Sequence, residues 1–252
     1  MGRGCSHIYF THTKLSLAHI RFGFKGETFN KIKGFISSQV INGLIFNTSA
    51  FIYILIISYY PGDALNIYAI SSYVFVFFGV FSQNFTSSII PLVAEYKGKE
   101  DINSIKEIVK KYVIVVSIYT SVVSLIVLLA RGGISSLLGS NVIEADYIST
   151  FLILYSIPWI FSSVSMVFIL VVAGSGDSKG GFILTISNMY VSVLLCLGIL
   201  PNFFSDVTIG VFVSIAVIQL LSFVSSTLYY LYGRWKKIDL IEREQFEKSY
   251  ES

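Results

Sequence analysis

Residues 112–130 read YVIVVSIYTSVVSLIVLLA, nineteen consecutive positions without a charged side chain. An α-helix rises 1.5 Å per residue, so about 20 apolar residues cross the hydrocarbon core of a bilayer. This stretch is therefore long enough to span a membrane as a helix. Five further uncharged stretches of at least this length occupy residues 34–62, 64–94, 147–176, 180–205 and 207–233.

The composition of the whole chain agrees with this interpretation. Of its 252 residues, 54% are hydrophobic and only 13% are charged, whereas charged residues make up about 25% of a soluble domain. The uncharged stretches are too long, and too irregular in alternation, for the roughly ten-residue strands of a membrane barrel. We predict an all-α membrane protein, a bundle of six transmembrane helices. A soluble enzyme, a nucleic-acid-binding protein and a disulfide-stapled scaffold are excluded, the last because Cys5 and Cys196 are the only cysteines.

The basic residues predict how the chain is organised across the membrane. Lys and Arg are retained in cytoplasmic loops. If both termini are cytoplasmic, 17 of the 18 basic residues lie inside and only Arg131 lies outside. We therefore expect a multi-pass protein of the cell membrane with residues 1–31 as a cytoplasmic lead-in or inter-lobe linker, 32–235 as the six-helix lobe and 236–252 as a charged cytoplasmic tail. Its helices break at turn residues, including Arg131-Gly132-Gly133.

The polar residues inside the predicted spans are all neutral, since no Asp, Glu, Lys, Arg or His occurs in any of the six stretches. Neutral amides at depth either hydrogen-bond between packed helices or line a hydrated cavity. Because such amides recur in four different spans, we predict a substrate cavity that they help to line, with helix packing as the alternative. These residues are Asn42, Gln83, Asn188 and Gln219. Pro158, in the fourth stretch, removes a backbone hydrogen bond and is a candidate hinge or a packing feature.

One short motif permits an enzymatic interpretation. Residues 174–177 spell G-x-G-D, as in intramembrane aspartyl proteases, which need a second aspartate beside the first. The nearest candidate, Asp146, is about 30 helical residues away, roughly 45 Å, at the opposite face of the membrane. We therefore predict that the chain is not an enzyme. We expect no cofactor, and no metal site, because the spacing of Cys5 and the N-terminal histidines fits no zinc template.

Three features in order resemble the multidrug and toxin extrusion (MATE) transporters. Residues 91–99, PLVAEYKGK, are similar to the family's "P-L-V-A-Q-x-x-G-A" stretch, and residues 173–179, AGSGDSK, to its "R-G-x-G-D-T-K" loop. Between them, Leu137-Leu138-Gly139, Tyr147 and Pro158 fall where the family has "L-L-G", "Y-L" and a mid-helix proline. The resemblance covers about residues 30–235 and extends to the larger superfamily that includes polysaccharide flippases.

The resemblance implies one six-helix lobe of a two-lobe transporter. The expected partners are the lipid bilayer, a second six-helix lobe and a small organic or lipid-linked substrate, but no nucleic acid. The second lobe is either a missing half, this chain being the C-terminal one, or another copy in a homodimer. The implied function is secondary export of small organic solutes by alternating access. A lipid-linked oligosaccharide flippase and a non-transporting membrane assembly subunit are the alternatives.

The resemblance also assigns roles within the 173–179 loop and has one departure. Gly174 and Gly176 are expected to form a tight helix-ending turn, with Asp177 and Lys179 as structural residues at the cytoplasmic surface. Ion-coupled drug exporters of the family usually carry a membrane-embedded carboxylate, and this chain has none in its predicted spans. Coupling to an ion is therefore not implied by this lobe.

Overall fold

The computed structural model describes Leu44, Thr48 and residues 51–60 and 63–237. Every regular element in this part of the chain is helical, as predicted. The described end of α1 covers residues 51–59. The remaining helices are α2 (Ala64–Ser87), α3 (Ile89–Gly98), α4 (Ile102–Leu138), α5 (Val142–Gly174), α6 (Ser178–Ile186), α7 (Ser192–Ile199) and α8 (Val207–Tyr232). A π turn, Ser187–Val191, joins α6 to α7, and 3₁₀ turns occupy Leu200–Phe203 and Arg234–Lys237.

Four of these helical segments are long and apolar enough to cross a bilayer: Ala64–Gly98, Ile102–Leu138, Val142–Gly174 and Val207–Tyr232. The first of them is α2 followed directly by α3. The predicted fifth span is continuous helix from α6 to the 3₁₀ turn Leu200–Phe203. The π turn between α6 and α7 shifts the helical register within it. The predicted first span is described only at Leu44, Thr48 and residues 51–60, where it is helical over 51–59. The lead-in 1–31 and most of the tail 236–252 lie outside the described residues. The all-α membrane bundle is thus confirmed, with four complete spans in the described ranges.

Acidic or amide side chains cap the starts of four helices, α4, α5, α6 and α8. Each accepts a hydrogen bond from a backbone N–H in the first turn, which would otherwise have no partner. The acceptors, with their donors, are Asp101 with Ser104 at 2.9 Å, Asn141 with Glu144 at 2.9 Å, Asp177 with Gly180 at 2.8 Å and Asp206 with Thr208 at 2.9 Å. These caps place the helix starts of α4, α5, α6 and α8.

The predicted break at Arg131-Gly132-Gly133 is wrong, because α4 continues through it to Leu138. Glycine within a helix is unfavourable by only about 1 kcal/mol relative to alanine, and the following turn packs Ser135 into the protein. The helix ends instead at Gly139, where a Cβ would lie 2.8 Å from the backbone nitrogen of Ala145. The tight approach of α5 at this glycine, followed by the Asn141 cap, determines where the chain turns.

Helix α5 lies at the centre of the bundle and contacts α2, α3, α4, α6 and α8. One core cluster surrounds Phe151, whose ring lies 5.1 Å from that of Phe212 in α8. A second cluster includes Trp235, which is fully buried after α8 and donates from its indole Nε1 to the Tyr230 carbonyl at 3.0 Å. The chain following α8 therefore folds back onto the bundle.

Candidate functional site

A cavity of about 600 Å³ lies between α1, α2, the π turn with α7, and α8. It is on the side of the bundle where α2 begins, and it extends to the middle of α8. Its volume is within the range of about 300–1,000 Å³ typical of small-molecule sites. The cavity is lined by Tyr53, Ile54, Leu65, Asn66, Tyr68, Ala69, Ser72, Tyr73, Asn188, Val193, Ile218, Gln219 and Ser222.

The lining of this cavity is aromatic and amide-rich, and none of its described residues carries a charge. The rings of Tyr53 and Tyr68 lie 5.6 Å apart at an angle of 43°, so α1 and α2 present adjoining aromatic groups. Amides and hydroxyls supply hydrogen-bonding groups among them. Such a surface can hold a ring by contact and orient it through a small number of polar atoms.

Asn188 projects from the π turn toward the cavity and is only 6% exposed. Its Oδ1 accepts a hydrogen bond from the Ser225 hydroxyl of α8. Its Nδ2 is buried and has no hydrogen-bond partner within the described part of the protein. A π turn adds a residue to the helical repeat and rotates the following side chains, and such turns occur frequently at functional sites. The cavity lining therefore includes a residue whose buried donor has no partner.

Gln219 reaches the same cavity from α8. Its Nε2 donates to the Tyr155 hydroxyl of α5 at 2.9 Å. Tyr155 is in turn fixed by aromatic contacts, with its ring 4.8 Å from Phe75 and 5.2 Å from Phe151. The Gln219 amide is thus oriented by the central helix of the bundle.

Gln83, a third amide predicted to line the cavity, is placed differently. Gln83 is exposed on the outer face of α2 and is not part of the cavity lining. Asn42 lies outside the described residues. The structure therefore brings Asn188 and Gln219 together and leaves Gln83 on another surface.

Pro158, the candidate hinge, is buried inside α5, which is helical on both sides of it. Two residues earlier, the Ser156 carbonyl accepts a hydrogen bond from the Ser124 hydroxyl of α4 at 2.9 Å. A side chain of the neighbouring helix thus bonds to the backbone beside the proline.

The 173–179 loop joins α5 to α6. Gly174 approaches α3 so closely that a Cβ there would lie 2.9 Å from the Ile90 carbonyl oxygen. Gly176 has φ 79°, a conformation that glycine adopts without strain. Asp177 is buried and caps α6, whereas Lys179 is exposed. The loop is a compact connection, and its lysine extends to the surface.

The sequence interpretation missed the aromatic wall, which consists of Tyr53, Tyr68 and Tyr73. The α2 part of this wall could have been found from helical spacing. Lining residues recur there at intervals of three or four positions on one face: Leu65, Tyr68, Ala69, Ser72 and Tyr73. Among the described residues there is no group of three or more His, Cys, Asp or Glu side chains that could hold a metal ion.

Comparison with solved structures identifies a similar fold in a point mutant of the Vibrio cholerae MATE transporter VcmN. The two share a TM-score of 0.73 at 15% sequence identity. The alignment covers 88% of this chain and 50% of that chain, so the present chain spans about half the length of the solved transporter. No curated protein matches the sequence.

The family model named MatE matches residues 40–198, more than half of the chain. Members of this family are transporters rather than enzymes, which agrees with the prediction from the sequence that the chain is not an enzyme. The match includes α1 to α7 and thus three of the four elements around the cavity. The chain is a multi-pass helical membrane protein, and it belongs to the MatE family.

Proposed function

We propose that the chain is one lobe of a secondary transporter that exports small organic solutes by alternating access. The observation that carries this proposal is the cavity between α1, α2, α7 and α8, whose lining includes Asn188 with its unpartnered Nδ2. A buried donor without a partner is unfavourable by about 1–3 kcal/mol. A solute that accepts a hydrogen bond from it would remove this penalty, so the site favours occupancy.

A second six-helix lobe is the proposed partner, supplied either by another polypeptide or by another copy of this chain. The half-length match to VcmN supports this arrangement. So does the outer face of α2, where Gln83, Asn84 and Ser87 are all exposed. Amide and hydroxyl groups are unfavourable against lipid. We therefore assign this polar face, with Gln83, to a hydrated space shared with the second lobe. Asn42 remains a proposed cavity residue, because it is a neutral amide within a predicted span.

Alternating access also requires the lobe to change shape. Pro158 is the proposed hinge, because α5 contacts most of the bundle and a proline lacks the backbone donor that would stiffen it there. In the same proposal both termini are cytoplasmic, and the cavity lies in the outer half of the membrane.

Transport assays in membrane vesicles test this function. Vesicles with the full chain, alone or with a second six-helix polypeptide, are loaded with a panel of radiolabelled cationic and uncharged aromatic solutes. We expect Asn188→Leu and Gln219→Leu to reduce export per folded molecule, whereas Asn202→Leu, an exposed amide outside the cavity, retains it. Equal export by all three variants, or no export by the wild-type chain in either arrangement, contradicts the proposal.

A further inference from the structure

The chemistry of the cavity selects among possible ligands by charge. The four elements that form it belong to the sequence stretches 34–62, 64–94, 180–205 and 207–233, none of which contains an ionisable Asp, Glu, Lys, Arg or His. The central helix α5 adds none between residues 147 and 176. No acid or base from these stretches can therefore pair with a charged ligand.

A charged ligand in this cavity would lose its hydration without gaining a counter-charge from the described lining residues. Asp63, three residues before the lining residue Asn66, is exposed and is not part of the lining. Transfer of an unpaired ion into a low-dielectric region is much less favourable than transfer of a neutral polar group with a hydrogen-bond partner. The faces of Tyr53, Tyr68 and Tyr73 attract a cation through the ring quadrupole, but they carry no formal charge that would neutralise it. The balance favours an uncharged occupant.

The polar atoms specify what that occupant must present. The Nδ2 of Asn188 is a donor only, so its complement is an acceptor such as a carbonyl or ether oxygen. The tyrosine rings on α1 and α2 complement an apolar ring. Both features lie on one cavity surface.

Resting on the proposed transport function, we propose that this cavity takes an uncharged, ring-bearing solute whose oxygen accepts a hydrogen bond from Asn188 Nδ2. Asn188 is then the residue that determines specificity for the acceptor. The π turn Ser187–Val191 and the Ser225 hydroxyl act as positioning elements, because the turn places Asn188 in the cavity lining and the hydroxyl binds its Oδ1.

A pair of probes of nearly equal shape tests the proposal on the purified full chain in lipid nanodiscs. One is neutral 1-methyl-4-phenyl-2-pyridone, which carries a ring carbonyl, and the other is the N-methyl-4-phenylpyridinium cation. Dissociation constants are measured with tritiated probes in equilibrium binding. We expect the pyridone to bind at least about 10-fold more tightly than the pyridinium, since one hydrogen bond to a buried donor contributes about 1.4 kcal/mol.

Two variants of Asn188 separate recognition from folding. Asn188→Leu removes the donor and is expected to weaken pyridone binding by about 10-fold. Asn188→Asp keeps the acceptor for Ser225 and replaces Nδ2 with an oxygen, so at pH 9 it should weaken pyridone binding and strengthen pyridinium binding. Asn202→Asp and Asn202→Leu, outside the cavity, should change neither constant. Thermal melting of each variant establishes that it is folded.

The outcomes are distinct. Tighter or equal binding of the pyridinium by the wild-type chain, absence of pyridone binding, or pyridone binding unaffected by both Asn188 variants would overturn the inference about the ligand. Export of any solute in the vesicle panel would leave the transport function intact in each of these cases. If the wild-type chain bound the pyridone but exported no solute of the panel, the result would contradict the transport proposal and not the inference about the ligand.

Discussion

The hydroxyl of Tyr229, near the end of α8, donates a hydrogen bond of 2.7 Å to Oδ2 of Asp177, the residue that caps α6. The other oxygen of this carboxylate accepts from the backbone N–H of Gly180 at 2.8 Å. Asp177 is only 1% exposed. The two bonds tie the α5–α6 loop, whose sequence resembles a motif of the family, to the last helix of the bundle.

Replacing Tyr229 by Phe should destabilise the protein. The change leaves a buried carboxylate oxygen without its hydroxyl partner, and such a loss is unfavourable by about 1–3 kcal/mol. Denaturant titration in mixed micelles measures the free energy of unfolding. Tyr232→Phe is the control, because Tyr232 is 80% exposed; equal stability of the two variants would show that the Asp177 contact contributes nothing.

Gly180 and Gly181 provide a matched pair at the same helix start. A Cβ at Gly180 would lie 2.1 Å from the Tyr229 hydroxyl, whereas at Gly181 nothing lies within 4 Å. Gly180→Ala should therefore displace Tyr229 and lower the melting temperature. Gly181→Ala should leave it unchanged or raise it, because alanine favours a helix by about 1 kcal/mol over glycine. The reverse order of melting temperatures would refute this packing.

The Gln219–Tyr155 hydrogen bond links the cavity to the core and can be measured by a double-mutant cycle. Gln219→Leu, Tyr155→Phe and the double variant should show a coupling energy of about 0.6 kcal/mol, the mean for hydrogen bonds inside membranes. Additive effects would mean that the bond contributes no stability. If Gln219 also contacts the solute, Gln219→Leu should reduce export more than Tyr155→Phe does.

Cysteine labelling tests the orientation proposed from the basic residues. In a background without Cys5 and Cys196, single cysteines at Asp63, Ile143 and Phe203 occupy exposed positions at one end of the bundle, and Lys106 is exposed at the other. An impermeant thiol reagent added outside intact cells should modify the first three and not Lys106→Cys. If only Lys106→Cys were labelled, the orientation would be the opposite of the one proposed.

The helical membrane fold could be predicted from the sequence because it follows from the positions of the long uncharged stretches. Runs of apolar residues longer than about 20 must be helical in a bilayer, because lipid offers their backbone groups no hydrogen bonds. Asp101, Asn141 and Asp206 likewise mark helix starts by their local chemistry. The helix end at Arg131-Gly132-Gly133 was predicted wrongly, because close packing at Gly139 outweighs the weak local preference of two glycines.

By itself, the sequence determined that this protein is a helical membrane bundle and, through residues 91–99 and 173–179, indicated its family. The tertiary structure alone decided which polar groups share a cavity. Gln83 and Gln219 are both neutral amides within apolar helices, yet one is exposed on α2 and the other lies beside Asn188 and Tyr53. The reason is that a helix's rotation is fixed by packing against its neighbours, and a π turn shifts the register of every residue that follows it. Neither quantity can be read from a single helix in isolation.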